Sequence, residues 1–358
     1  MTRHAPPTLD EVRAAITHPA DDPERTAAAQ LAAARWDGRA KPPGALGRLE
    51  AAAVRIAAAT GACPPAVPTA PAVIVFAGDH GVVADGASAW PSEVTAAMVA
   101  TMAAGGAAIN AFATTVGASM TLVDVGVLGG VADLPSGGPD LRHENVRPGT
   151  GSIATGPAMT RDEARAAVEV GIRVACDVID AGADLLVGGD MGIGNTTPSA
   201  ALVAWATGAP SDELVGRGAG LPEAGLDRKR ALVRAALARV EGIEDPLDVL
   251  AEIGGLEIAA LAGLHLEAAA RRVPTIVDGV IGAAALCVAD ALAPGTAAHA
   301  VGGHRSVEPA SAIALAHLGL DPLLDLDLRL GEGTGACLAI PLVQAACRAL
   351  RDMADLPA

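Results

Sequence analysis

Two stretches carry residues whose types and spacing can do chemistry. In RLGEGTGACLAIPL, residues 329–342, one carboxylate, Glu332, stands between two glycines and is followed almost entirely by small apolar residues. A charge placed just ahead of a buried helix is costly unless something uses it. In GGDMGIGNTTPSAA, residues 188–201, Gly188, Gly189, Gly192 and Gly194 let backbone amides approach a ligand. Asn195, Thr196 and Thr197 then offer amide and hydroxyl donors where a helix begins. Such an array suits an anion such as phosphate, because unpaired N–H groups and the helix dipole both face it.

Two alternative chemistries fail on spacing. GEGTGA, Gly331 to Ala336, formally satisfies the dinucleotide fingerprint and lies between LLDLDLRL and a helix. That fingerprint needs a second strand ending in an acid roughly 20 residues on, and after ACRALRDMADLPA the sequence stops at Ala358. The nicotinamide-dehydrogenase reading has no room. No GxxxxGK[ST] occurs, so a P-loop has no support, and the eight histidines form neither HExxH nor HxH, so no catalytic zinc is expected.

The elements that must position these groups follow from an alternation. Residues 8–37 are Ala-rich and helical in pattern, interrupted around His18-Pro19 and again at Asp21-Asp22-Pro23, where a new helix can start. A turn at Pro42-Pro43-Gly44 feeds a further helix, and the Pro-rich connector CPPAVPTAPA marks a boundary. From residue 72 short continuous apolar runs take over: AVIVFAGDHG, MTLVDVGV, ADLLVGGDMG and VPTIVDGVIG. Runs of this kind suit central parallel strands buried on both faces. Helical patterns at 92–116, 160–182 and 225–240 lie among them, which predicts a doubly wound, mostly parallel α/β sheet. Ligands bind such sheets at the carboxyl ends of the strands. Three of those four ends carry an acid beside a glycine. Any one such acid is either a turn former or helix cap, or a ligand contact.

Composition excludes whole classes. The chain has 358 residues, 51% hydrophobic but only 1% aromatic with no tyrosine, so its core is built from Ala, Val, Leu and Ile with Gly spacing. The net charge of −16 opposes binding to a phosphate backbone, so nucleic acid is set aside. The start, MTRHAPPTLDEV, is polar and carries no apolar h-region, and later apolar runs are broken early; neither a leader nor a membrane anchor is expected. The five cysteines are scattered and include no CxxC. Reduced core thiols in a cytoplasmic protein are expected.

KPPGALGRLE (41–50), FAGDHGVVADGASAWPSEVT (76–95), GGDMGIGNTTPSAAL (188–202), GLDRKRALV (225–233), GGLEIAALAG (254–263), PTIVDGVIGAAAL (274–286), GGHRSVEPA (302–310) and LDLRLGEGTGACLAIPLV (326–343) occur in this order. Together they resemble the nicotinate-nucleotide:dimethylbenzimidazole phosphoribosyltransferase family, nearly end to end. The resemblance implies transfer of the phosphoribosyl group of nicotinate mononucleotide to 5,6-dimethylbenzimidazole, giving α-ribazole 5′-phosphate and nicotinate, without a cofactor. It also implies a Rossmann-like large domain (66–335), a small helical domain from residues 1–65 joined by a C-terminal helix (336–358), and a homodimer. The family's catalytic base corresponds to Glu332.

By the same resemblance Asp190 and Asp278 face the active site, where they hold ribose hydroxyls or stabilise cationic character at C1′. Gly189, Met191, Gly192, Gly194, Asn195 and Thr196 belong to the nucleotide loop. Lys229 resembles a family lysine near the phosphate, with a solvated helix lysine as its other reading. Gly303 and Ser306 are expected at phosphate or ribose, while His304 reads as a satisfied structural histidine. Ser88, Trp90 and Pro91 are expected to wall the benzimidazole, with Leu330 as its floor. The chain departs from the family pattern at Asp190, where Glu is frequent, at Ser92, where Gln is common, and at Ala45, where Ser is frequent. Another acceptor (adenine, a different benzimidazole, a phenol) and a catalytically silent nucleotide-binding protein stay open as alternatives.

Overall fold

The computed structural model describes residues 6–131 and 138–357. Residues 1–5, the start of the polar segment read above for a leader, lie outside the described residues. The strands are β1 (Pro71–Gly78), β2 (Ser119–Gly126), β3 (Asp140–His143), β4 (Leu185–Met191), β5 (Thr275–Val277) and β6 (Ala300–Gly302). The helices are α1 (Leu9–Ala15), α2 (Pro23–Asp37), α3 (Arg48–Thr60), α4 (Glu93–Ala103), α5 (Ala108–Val116), α6 (Arg161–Asp180) and α7 (Thr196–Thr207). They continue with α8 (Ser211–Leu214), α9 (Glu223–Val240), α10 (Pro246–Ile253), α11 (Leu256–Ala270), α12 (Val280–Leu292), α13 (Pro309–His317) and α14 (Thr334–Asp352). All pairings between these strands are parallel, in the order β3-β2-β1-β4-β5-β6. Chain order reverses between β1 and β4, which opens a crevice at their carboxyl ends.

The apolar runs behave as strands buried on both faces. Ile74 and Phe76 of β1 join one core with α6, α11 and α12, while Val73 and Val75 join the other with α5 and α14. Asp22 caps α2 by accepting from the Glu24 and Arg25 amides at 3.1 and 3.3 Å. A smaller cluster, Ala28, Ala32, Trp36, Ala53, Ala57, Ala346 and Leu350, binds α2, α3 and the end of α14 together, whereas Leu9 and Val12 of α1 lie in the main core. The buried Arg25 ties these helices to the sheet edge. It donates to the Ala58 and Thr17 carbonyls, both at 2.8 Å, and its Nη2 lies 2.6 Å from His299 Nε2, just ahead of β6. Burial and the Arg25 charge push His299 down to about 3, so it is the neutral acceptor.

One expectation changes. The helix expected over 92–116 is two helices, because Gly105, at φ +80°, ends α4 and the chain restarts at Ala108. The stretch Glu93–Val116 is apolar and long enough to cross a bilayer by composition, but this break folds it back onto β1, β2 and β4. The strands β3, of four residues, and β6, of three, are not anticipated from the sequence.

With so few aromatic residues the core closes by backbone approach. A Cβ on Gly171 of α6 would stand 1.8 Å from the Ala260 carbonyl oxygen, and one on Gly263 of α11 2.0 Å from that of Val168. Gly171→Ala must push α6 from α11 and is expected to lower stability by about 3 kcal/mol, read as a lower urea midpoint at unchanged slope. An unchanged midpoint would show that the contact is not tight.

Candidate active site

The crevice between β1 and β4 holds a cleft lined by residues from six connections: Ala87–Ala89, Asp190–Thr196, Arg217–Ala219, Gly279–Ile281, then His304, Ser306 and Glu308, and Arg329–Gly331. Its cavity volume is about 110 Å³, below the roughly 300 Å³ of a small-ligand pocket, so a larger ligand would extend into the open mouth.

One end of the cleft is built for an anion. The N-termini of α7 and α12 both reach it, and neither carries a side-chain cap. Asn195, which could cap α7, instead donates its Nδ2 to Asp190 Oδ2 at 3.0 Å. In α7 the Thr197 amide already donates to the Gly194 carbonyl at 3.0 Å and Pro198 has no N–H, so the donors that favour an anion here are the Thr196 amide and the first turn of α12. Gly194 turns the chain at φ +91°, where a Cβ would meet Val83 at 2.7 Å. Behind this end Lys229 is 1% exposed, so it is not a solvated helix lysine. Its Nζ donates to Thr196 Oγ1 at 2.7 Å and to the Gly216 carbonyl at 3.0 Å. Burial lowers its pKa to about 8, against the opposing charge of Glu308.

The residues 216–220 form a strap across the mouth, fastened from three sides. Lys229 holds Gly216, Glu308 Oε1 accepts from the Gly218 amide at 2.8 Å, and the Trp90 indole donates to the Ala219 carbonyl at 3.1 Å. The expected aromatic wall is therefore placed differently. Ala87, Ser88 and Ala89 line the cleft, while Trp90 and Pro91 do not; Trp90 is 52% exposed and spans the outside of the mouth. Arg217, Glu308 and Arg329 also line the cleft, and sequence reading missed all three. Glu308 left one trace, an acid directly before Pro309 at a helix start.

Beside the starts of α7 and α12 lies a group of buried carboxylates. Of the four strand-end acids, Asp79 accepts from the Leu128 amide and Asp124 from the Val127 amide, both at 2.8 Å, so these two shape loops. Asp190 and Asp278 stand at the carboxyl ends of β4 and β5 and approach Glu332. Glu332 is 2% exposed and lies just behind the wall made by Leu330 and Gly331. Its Oε2 accepts from the Ile109 amide, in the first turn of α5, at 3.4 Å, and no cation among the described residues is paired with it. Burial raises its pKa, the Ile109 amide opposes this, and the Asp278 charge adds to it. Asp190 is raised far more, by burial first and then by Asp278, with Glu257 and Glu332 contributing and Asn195 opposing.

The backbone around Glu332 is itself informative. Gly331, Glu332 and Gly333 all have positive φ, at +84°, +62° and +84°. A glutamate held left-handed between two glycines is strained. It is held there because its amide donates to the Asp190 carbonyl at 3.2 Å and its own carbonyl packs where a Gly189 side chain would be. Gly189 thus admits this segment without lining the cleft. Gly303 likewise serves packing: a Cβ there would stand 2.7 Å from the Val277 oxygen and 2.8 Å from Ala336 Cα. Leu330, 57% exposed, forms the rim, and Met191, Gly192 and Ser306 line the cleft. His304 also lines it, with Nε2 3.3 Å from Asp278 Oδ1 and Nδ1 without a hydrogen bond, and so is not a fully satisfied structural residue.

Residues 21–357 match the model of a phosphoribosyltransferase family. The nicotinate-nucleotide–dimethylbenzimidazole phosphoribosyltransferase of Salinispora tropica is 52% identical over 88% of this chain and 89% of its own length. That of Chloroflexus aggregans is 51% identical over 94% and 93%. The crystal structure of CobT from Thermus thermophilus superposes with a TM-score of 0.86 at 49% identity, covering 93% of this chain and 97% of that one.

The buried lysine sets a pH dependence for anion binding. Rising pH removes the Lys229 proton, so affinity for ribose 5-phosphate is expected to weaken as pH passes through about 8. Lys229→Met should bind more weakly throughout and lose that dependence. Titration calorimetry between about pH 6.5 and 9 checks this, and an affinity for the unaltered protein that stays flat over the range would contradict it.

Proposed function

The chain belongs to the nicotinate-nucleotide–dimethylbenzimidazole phosphoribosyltransferase family, and from that premise we propose that it transfers the phosphoribosyl group of nicotinate mononucleotide to 5,6-dimethylbenzimidazole, with Glu332 as general base and inversion at C1′. The observation that carries the reading is Glu332, on a strained left-handed backbone with no cation paired to its carboxylate among the described residues, held near Asp190 and Asp278 where two uncapped helix N-termini begin.

The donor explains the division of charge. Its phosphate is an anion and belongs with the α7 and α12 amides and Lys229. Its pyridinium nitrogen carries a positive charge, so C1′ is electron-poor and nicotinate leaves with the bonding pair without being protonated. No general acid is needed at that nitrogen. Cationic character spreading over C1′ and the ring oxygen is stabilised by the carboxylate of Asp278, while Asp190, biased towards its protonated form, is placed to hold a ribose hydroxyl.

The acceptor attacks C1′ with the lone pair of one ring nitrogen as the bond to nicotinate breaks. Direct displacement on the β-nucleotide gives the α-configured product. The other benzimidazole nitrogen then bears an acidic proton, which Glu332 removes, offsetting the positive charge as it develops. A carboxylate buried behind Leu330 and Gly331 suits this step, because burial raises its affinity for a proton. Ser88 faces the cleft from the connection after β1 and is the polar contact for the base.

Incubated with nicotinate mononucleotide and dimethylbenzimidazole, the protein is expected to release nicotinate and form α-ribazole 5′-phosphate, identified by mass spectrometry in a screen that includes adenine, other benzimidazoles and a phenol. A different preferred acceptor would correct the substrate, and no release with any of them would remove the enzymatic reading. Glu332→Gln should lower turnover by about 10²–10³-fold while nucleotide affinity stays within a few fold. Full turnover in that variant would refute the base assignment.

A further inference from the structure

His304 has no part in the reaction as written, yet it is a buried titratable group on the wall of the cleft. It is 3% exposed and follows β6, wedged between the first turns of α12 and α14. The fit is close: a Cβ on Gly335 of α14 would fall 2.0 Å from the imidazole, and one on Gly279 would be 3.6 Å from Nε2. Asp278 Oδ1 accepts from the Ala336 amide at 2.8 Å and lies 3.3 Å from His304 Nε2, while Asp278 Oδ2 makes no hydrogen bond. One carboxylate is therefore held between an imidazole and a helix N-terminus, beside Glu332.

We propose that His304 is a positioning residue for the general base: paired with Asp278, its imidazolium offsets that carboxylate's charge so that Glu332 stays ionised and able to accept a proton. The inference rests on the reading of Glu332 given above. The surrounding charges support it. His304 faces Asp278 on the β5 side and Asp325 on the segment after α13. Burial disfavours its charge, but the hydrogen bond and field of Asp278, then the Arg305 backbone and the charge of Asp325, leave its pKa above the ordinary imidazole value. Asp278 in turn faces Glu332, Asp190 and the Cys337 thiol, and it raises the pKa of all three. The Ile109 amide of α5 acts on Glu332 in the opposite direction, and Arg329 lines the cleft three residues before it. An uncompensated Asp278 would drive Glu332 towards its protonated, inert form.

The two members of the pair should then act on the base with opposite signs. In profiles of kcat against pH, the acid limb reports ionisation of Glu332. His304→Gln removes a positive charge and should move that limb up by about one pH unit, which is a tenfold loss of turnover on the limb. Asp278→Asn removes a negative charge and should move the limb down, whatever it does to the plateau. In His304→Gln the loss should appear in kcat on the acid limb and not only as a higher KM for nicotinate mononucleotide. A His304→Gln limb that coincides with that of the unaltered protein, or a change confined to KM, would overturn the proposal. Because the imidazole is tightly packed, a second measurement avoids that substitution. An NMR titration of the unaltered protein should place the His304 pKa above the usual imidazole range, and Asp278→Asn should lower it; no shift between the two would also overturn the pairing. This titration needs no turnover. A failure of nicotinate release therefore refutes the proposed function, while a failed titration in an active enzyme refutes only the role of His304.

Discussion

The close approach of residues 331–333 to the end of β4 is the constraint on which the site depends. The Glu332 carbonyl occupies the space a Gly189 side chain would fill, its amide bonds the Asp190 carbonyl, and three consecutive left-handed residues turn the chain into α14. Strain of this kind costs on the order of 1–3 kcal/mol at a non-glycine residue. It persists because α14 is anchored along its length, first in the core under the sheet and then against α2 and α3. A helix from the end of the chain thereby delivers a carboxylate to the crevice opened by the sheet's reversal. The helical cluster around Trp36 and Leu350 thus bears on function without touching the cleft.

The second organising principle is separation of unlike charge demands. Carboxylates placed together would repel a phosphorylated ligand, and amides placed alone would do nothing for a pyridinium. The parallel sheet resolves this because strand ends and helix starts alternate along the same edge. Asp190 and Asp278 stand where β4 and β5 end, and within a few residues the chain turns into α7 and α12 with their N-termini towards the cleft. Negative side chains and positive helix ends are thereby interleaved at a spacing set by the roughly 4.8 Å between strands.

Much of this was legible in the sequence because it is local. The runs ending in AGDHG, GGDMGIGN and VDGVIG are continuous apolar segments that only a doubly buried strand explains, and each fell on a strand of the central sheet. The strand-end acids were legible as a set but not individually: Asp79 Oδ2 and Asp124 Oδ1 accept from neighbouring loop amides, and only three-dimensional pairing separates them from Asp190 and Asp278. What stayed hidden is non-local. Arg217, Glu308 and Trp90 come together through the strap across the mouth, from positions far apart in the chain that carry no common pattern. The outward turn of Trp90 was likewise illegible, because an aromatic beside a small-residue cleft reads as a wall whichever way it faces.

The chemistry also explains why burying so many acids is tolerated. A buried carboxylate with no partner is expensive, and Asp190, Asp278, Glu257 and Glu332 lie close enough to perturb one another. Each of the first three has a distinct relief. Glu257 Oε1 lies 2.7 Å from His80 Nε2, Asp278 has His304 and the Ala336 amide, and Asp190 has the Asn195 amide and a strong bias towards its protonated form. Glu332 has a long bond to a backbone amide. The remaining deficit is a preference for positive charge beside Glu332, which in the proposed reaction a donor with a charged pyridinium would supply before any bond breaks and which would make the acceptor's surplus proton easy to take.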